Sequence, residues 1–557
     1  MKPIEILTGL VMLTTLLAVV ARRLNVSYPI LLVIVGLVIG WVPGLPPVEL
    51  EPDVVFLIFL PPLLYGAAWT INNANLARYR RSVGLLAIGL VLFMSSLVAL
   101  VSHWLIPGFS LAQGFLLGAI IAPPDAVAAS SVTKGLSIPK RINTVLEGES
   151  LVNDATSLVL YRFALAAVLT GQFSLADAGW QFVSSAVTSV GLGLAIAWVM
   201  QYVHRALRND SVTNTAVSLL IPYGVYLLAE HLHLSGVLAV VTTGLFLSWR
   251  DGQIFSYQTR LQAYNVWDIV TFLLNGLVFV LIGLQLPQIV NGLNTVSLGQ
   301  AIGYAGILAV TIIVGRIVWV YPGALAPFWL SRRIREREKM PNWREIAIVA
   351  WAGMRGVVSL ASALALPNAL PNGQPFPGRD LMLFLTFALI FVTLVVQGLS
   401  LPVLIRWLGV RDGTDERQQE RDLRKEVAQA AITHLEANHS AGDVPDAVLN
   451  QLKNAYEMKI NHLSANSTYA PNSNEPYMQF AQLQLELIDV GRRVVEDRRR
   501  EGELSDELLH KLDQELDLEA TRITSAMPSV SPTDRSAAAQ EVPALPAIGR
   551  RTTSTTA

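Results

Sequence analysis

Three stretches of the chain place ionisable side chains inside otherwise apolar sequence. The first, GAIIAPPDAVAASSVTKG at 118–135, carries Pro123, Pro124 and Asp125 near its middle. A proline lacks the amide hydrogen and clashes with the carbonyl four residues back. Two in succession predict an unwound turn that frees carbonyl oxygens, with Pro124 as a backbone ligand beside the Asp125 carboxylate. Irregular backbone at membrane depth is tolerated where it lines a cavity or is packed in protein. Carbonyls grouped with a carboxylate make a plausible cation site; the blander reading is a kinked packing helix whose Asp reaches water.

The second stretch, RINTVLEGESLVNDATSLVLYRF at 141–163, reads as a helix with two polar stripes. Glu147, Ser150, Asp154, Ser157 and Tyr161 recur at spacings of three and four, and Glu149, Asn153 and Thr156 run beside them. Carboxylate, hydroxyl and amide oxygens are hard ligands suited to a small alkali cation, and no His or thiolate stands among them. A polar seam held by interhelical hydrogen bonds is the alternative. The third stretch, IAIVAWAGMRGVVSLASALALP at 346–367, sets Arg355 between Gly353 and Gly356. Glycine permits close backbone approach. Arg355 needs a counter-charge, for which Glu149 and Glu147 are the natural partners. Interrupted spans in corresponding halves mark the substrate site of inverted-repeat transporters, and the first and third stretches fit that description.

The elements that must hold these groups follow from composition. The chain has 557 residues and no cysteine. Residues 1–410 carry 24 Lys+Arg and 17 Asp+Glu, a net charge of +7, while the remainder carries 17 and 25, a net of −8. About one residue in ten is charged in the first part, against roughly one in four in a soluble domain. That part is therefore read as an all-α polytopic membrane domain, and 411–525 as a helical cytoplasmic tail. Runs near 478–500 and 504–524 are expected to be helical, 463–476 a linker, and 526–557 disordered.

With roughly 20 apolar residues needed per crossing, about thirteen spans are expected, near 4–21, 28–42, 53–70, 82–106, 111–133, 142–169, 178–203, 212–232, 235–249, 266–286, 298–330, 343–367 and 380–407. The 235–249 block is short for a span, and 298–330 is long enough to be tilted or broken. Loops on one side hold 18 Lys and Arg, among them Arg22, Arg78, Lys134, Arg205, Arg250, Arg332 and Lys339, whereas the other side holds Lys2 and Arg379. Positive charge marks the cytoplasmic side, so the N-terminus is expected outside and the tail inside. The first apolar block lacks a preceding basic region and a cleavage site, and reads as a retained anchor.

Without cysteine there is no disulfide framework, no Cys-ligated zinc or iron–sulfur site and no thiol nucleophile. No Gly-rich phosphate fingerprint marks the tail, and charge balance gives no case for nucleic acid. Glu230-His231-Leu232-His233 reads as a wet helix end rather than a zinc hydrolase site. Arg162, Asp268 and Arg316 read as structural ion pairs or snorkelling side chains.

Taken in order, FLPPLLYGAAW at 59–69, APPDAV at 122–127, EGESLVNDATSLVLYR at 147–162 and GMRGVVSLASALALP at 353–367 resemble the monovalent cation:proton antiporter superfamily, in the branch with an Asn-Asp pair. The resemblance covers about residues 1–410. It implies a core domain with two crossed, partly unwound helices related by inverted repeats. It also implies a second domain that mediates homodimerisation, with the core moving past it in an elevator-like manner. Carried onto this chain, it makes Asp154 the carboxylate that takes cation or proton, Asn153 its companion, Asp125 and Ser150 further cation ligands, and Glu149 the partner of Arg355. Two positions depart from the pattern. Gly66 stands where many relatives have a third-span acid, and Pro124 where many have Thr or Val.

The expected function is secondary exchange of a monovalent cation, Na⁺ first and K⁺ or Li⁺ as alternatives, for H⁺ across the cell membrane, serving pH and cation homeostasis. The expected partners are the two ions, membrane lipid and a second copy of the chain, with no cofactor and no enzymatic activity. Asn153 beside Asp154 leaves one fewer charge at the site, which by resemblance implies electroneutral exchange. A channel would need a continuous polar path, yet these groups cluster at one depth. A non-transporting sensor and a membrane hydrolase are the remaining rivals.

Overall fold

In the computed structural model the described residues are 3–526, apart from 25, 44–54, 72, 134–135, 137, 172–174, 294–295, 331, 338–339, 371–372, 411–415, 439–444, 465–474 and 502–505. Lys2, Lys134, Lys339, most of the expected 463–476 linker and nearly all of 526–557 lie outside the described residues. The chain divides into two compact units, Met1–Gly413 and Thr414–Ala557.

The first unit is all-helical among the described residues, apart from an isolated bridge between Ala369 and Pro375. A bilayer offers no water to backbone N–H and C=O groups, so a spanning apolar segment satisfies them within its own helix. Nine described helices are long and apolar enough to cross, and Tyr28–Gly40, Phe56–Thr70 and Gly236–Trp249 are shorter apolar helices. The expected 343–367 block is split into Trp343–Trp351 and Val357–Leu364. The short 235–249 block forms Gly236–Trp249, opened by Ser235, whose hydroxyl accepts from the Leu238 amide. The 298–330 block is one helix, Leu298–Leu330, with Pro322 and Pro327 inside its last turns. The 28–42 block ends as helix at Gly40.

Two apolar clusters organise this unit. One gathers residues from Tyr28–Gly40, Leu111–Ile121, Tyr257–Asn291, Val357–Leu364 and Arg379–Val392. The other gathers Leu60–Thr70, Gly236–Trp249 and the Trp267 region. Lys140–Thr170 contributes to both, with Val145, Leu146, Tyr161 and Ala164 in the first and Leu151 and Ala155 in the second. This 31-residue helix ends at Gly171, whose φ of 69° is the left-handed conformation that a helix stop favours in glycine.

In the second unit the described helices are Glu416–Asn438, Asp446–Ser464, Glu475–Glu501 and Asp506–Ala526. Ala481 and Ile488 are buried against Leu516, Ala520 and Ile523, closing the last two into an αα-hairpin.

Candidate cation-binding site

The double proline unwinds the fifth span as its chemistry requires. Leu111–Ile121 starts on a capping box, in which Ser110 Oγ accepts from the Gln113 amide at 3.2 Å and Gln113 Oε1 accepts from the Ser110 amide at 2.7 Å. Helix stops at Ile121 and resumes at Ala126–Thr133. Asp125 opens the second half: its Oδ1 accepts from the Val127 amide at 2.8 Å and the Ala128 amide at 3.4 Å, the work of an N-cap.

The twelfth span breaks at Ala352–Gly356, and the two breaks cross. The Asp125 amide donates to Met354 O at 2.7 Å. Arg355 Nε donates to Ile121 O at 3.0 Å, and its Nη1 to Gly353 O. A broken helix exposes a partly positive N-terminus and a partly negative C-terminus. Asp125 answers the first at Ala126, and Arg355 answers the second at Ile121. The glycines flanking Arg355 are required by proximity, since a β-carbon at Gly356 would run into the Asp125 carboxylate and one at Gly353 into the Arg316 side chain.

The sixth span lays its polar stripes along this crossing. Asn153 Nδ2 donates to Pro124 O at 3.2 Å, and Ser150 Oγ accepts from the Ala126 amide at 3.3 Å. Asp154 lies one turn beyond Ser150 on the same face. It is 7 % exposed, and among the described residues no hydrogen bond or ion pair holds its carboxylate. Asn153 Oδ1 and Asp125 Oδ2 are likewise buried without a partner. Asp154, Asn153, Asp125, Ser150 and the Pro124 carbonyl thus meet around the crossing, and the open oxygens among them are hard donors.

The expected pairing of Glu149 with Arg355 does not occur. Glu149 is held by Arg316, Oε1 to Nη1 at 2.7 Å and Oε2 to Nη2 at 2.8 Å, with both side chains 1 % exposed. Arg316 also donates to Val349 O through Nε at 3.3 Å, joining the sixth, eleventh and twelfth spans. The reason is backbone geometry. Arg355 stands in the non-helical break, where its guanidinium is drawn to the carbonyls the breaks expose. The available signal was Arg316 itself, the one charge within the apolar 298–330 block.

Two further residues escaped the sequence reading. Thr393 Oγ1 accepts from the Arg355 amide at 3.2 Å, from a π-helical stretch Thr393–Gln397 in the last span. Gln397, at the end of that stretch, is fully buried with both amide atoms unpartnered. Arg162 pairs with Glu230 at 2.7 Å on a partly exposed surface, so Glu230 belongs to an ion pair. Glu147 is exposed, whereas Ser157 and Tyr161 on its stripe are buried. Gly66 lies on Leu60–Thr70 facing Tyr257–Asn291, where a β-carbon would meet Thr271 Oγ1 and the Trp267 ring.

Two crossed, broken helices with a free buried carboxylate beside them, in a multi-pass helical membrane protein, define an ion-coupled secondary transporter. The family model for the sodium/hydrogen exchanger transmembrane domain matches residues 9–407, and the chain belongs to that family. It is 32 % identical over 531 residues to an uncharacterised Na⁺/H⁺ exchanger of Mycobacterium tuberculosis, covering 92 % of this chain and 96 % of that protein. It is 33 % identical over 391 residues to a sodium, potassium, lithium and rubidium/H⁺ antiporter of Bacillus subtilis, covering 68 % of this chain and 58 % of that one. The fold is similar to that of a sodium proton antiporter from Methanocaldococcus jannaschii, with a TM-score of 0.56 at 20 % identity over 73 % of this chain and 98 % of that one.

Proposed function

We propose that the protein exchanges Na⁺ for H⁺ one for one, with Asp154 as the group for which the two ions compete. The observation that carries this reading is a buried carboxylate with no fixed partner beside an opened helix crossing. A buried charge needs compensation, and here it comes from either a bound proton or a dehydrated cation. Asp125, Ser150, the Asn153 amide oxygen and the Pro124 carbonyl would complete the cation's oxygen shell. Glu149 and Arg316 already neutralise one another and add no net charge to the site. Each transport cycle therefore passes one positive charge each way, and exchange is electroneutral.

The Lys and Arg asymmetry of the loops supports a cell-membrane protein with the N-terminus outside and the tail in the cytoplasm. The division into two apolar clusters along the sixth span supports movement of one against the other within a homodimer. K⁺ is the second reading, because the third span offers Gly66 in place of an acid and a relative's name includes potassium. The test is purified protein in liposomes under an imposed Na⁺ gradient. Proton flux that saturates with Na⁺ and ignores membrane potential is expected. Current driven by potential alone would identify a channel, and flux with K⁺ but not Na⁺ would favour the second reading.

A further inference from the structure

Helix Glu475–Glu501 carries two apolar stripes, and the hairpin covers one of them. Ala481, Ile488 and Val495 are buried. Phe480, Leu483, Leu487, Val490 and Val494 are 37–69 % exposed. Their spacing of three, four, three and four is the heptad spacing of a coiled-coil seam, which asks for a facing helix with the same pattern. We propose that this stripe packs antiparallel against the same stripe of a second copy, so that two αα-hairpins form a four-helix assembly about a twofold axis.

The charges flanking the seam select both occupant and direction. Glu486 and Arg493 each lie next to a seam position, at equivalent places one heptad apart. Antiparallel pairing with Leu487 facing Val490 of the second copy sets Glu486 of each chain against Arg493 of the other, twice by symmetry. Parallel pairing would set Glu486 against Gly491 and leave the match unmade. Neither Glu486 nor Arg493 forms an ion pair with another described residue of its own chain, whereas the adjacent Arg492 does, to Asp517 at 2.6 Å within the hairpin. An isologous contact of this kind is the commonest route to a closed dimer. It is independent of what the membrane unit transports.

The cysteine-free chain permits a direct test on full-length protein in lipid nanodiscs, with a spin label at Gln482→Cys or Asp489→Cys. In the antiparallel register the two copies of residue 489 lie nearly level, while those of 482 are offset by about 20 Å along the axis at ~1.5 Å per residue. The expected result is a narrow, short distance at 489 and a clearly longer one at 482. Leu487→Asp changes an exposed side chain and should abolish both. Glu486→Lys and Arg493→Glu should each broaden them, and the double exchange should restore them. Equal distances at both sites would overturn the direction. Distances unmoved by Leu487→Asp, or none within reach, would overturn the seam, the latter leaving the stripe to a lipid surface or another protein.

Discussion

Glu149 and Asp154 share one helix, are both buried, and differ in what surrounds them. Glu149 is gripped by both terminal nitrogens of Arg316, which is itself tied to Val349 O. Asp154 has neither an ion pair nor a hydrogen bond to its carboxylate among the described residues. Five positions separate a carboxylate with a fixed ion-pair partner from one that has none among the described residues. Burial makes both expensive, and availability distinguishes them. A fixed bidentate partner leaves Glu149 no room for another cation, whereas the open carboxylate of Asp154, on the proposed mechanism, would take a sodium ion or a proton.

The contrast is broken most severely at the open end. Asp154→Asn removes the carboxylate proposed as the group for which the ions compete, and exchange in proteoliposomes should fall to background while the protein still elutes as a folded species. Transport that survived the change would transfer the role to Asp125. Next in size is the closed end. Arg316→Leu strands Glu149, and loss of one partner of a buried pair costs about 3–5 kcal/mol. A large drop in thermal unfolding temperature is expected, with Glu149→Leu added in the same chain recovering much of it. Recovery without Glu149→Leu would mean that Arg355 takes over the pair.

Ser150→Ala sharpens the comparison between these two. Its hydroxyl accepts from the Ala126 amide beside the site, and a single such bond is worth roughly 0.5–1.5 kcal/mol net. Apparent cation affinity should weaken by up to about tenfold, since ~1.4 kcal/mol is one decade. The maximal rate should change little. An unchanged affinity would confine Ser150 to capping the half-helix.

Asp210, exposed at the start of Ser211–His231, is the surface counterpart. Bonds from the Thr213 side chain and amide hold its carboxyl below the ordinary range. Its stabilising effect is therefore complete above the usual carboxylate range and fades as pH falls through the lowered value. Asp210→Ala should shift unfolding only slightly at neutral pH and not at all in strong acid. An equal shift at both would remove the charge from the explanation.

Much of this arrangement was legible in the residues. Pro123 and Pro124 dictate the first break locally, Gly353 and Gly356 mark the second, and the three-and-four spacing puts Ser150 and Asp154 on one face. The partner of Glu149 was not legible. Spacing along a helix reports neighbours three or four residues away, and Arg316 lies 167 residues further along the chain. The non-helical path at Arg355 was equally hidden, because an apolar run between two glycines reads as a loosened helix until the opposing break is in place. Thr393 and Gln397 passed unnoticed since a lone hydroxyl or amide in an apolar span carries no directional signal.

The continuous 31-residue helix Lys140–Thr170 has a mechanical consequence. It has no proline and no break between Glu149 and Asp154, so the two groups are fixed on one rod, offset by about 7.5 Å along its axis at ~1.5 Å per residue. Arg316, Val349 and both broken helices are bonded to that rod by the contacts described. If the proposed ion site moves during transport, this cargo would travel as one piece, and the surface it slides along would be the one where Leu151 and Ala155 meet the other apolar cluster. Along that face the contacts at Leu151 and Ala155 are hydrocarbon, but the Arg162–Glu230 ion pair crosses it further along the helix, and any such slip would have to break that bond.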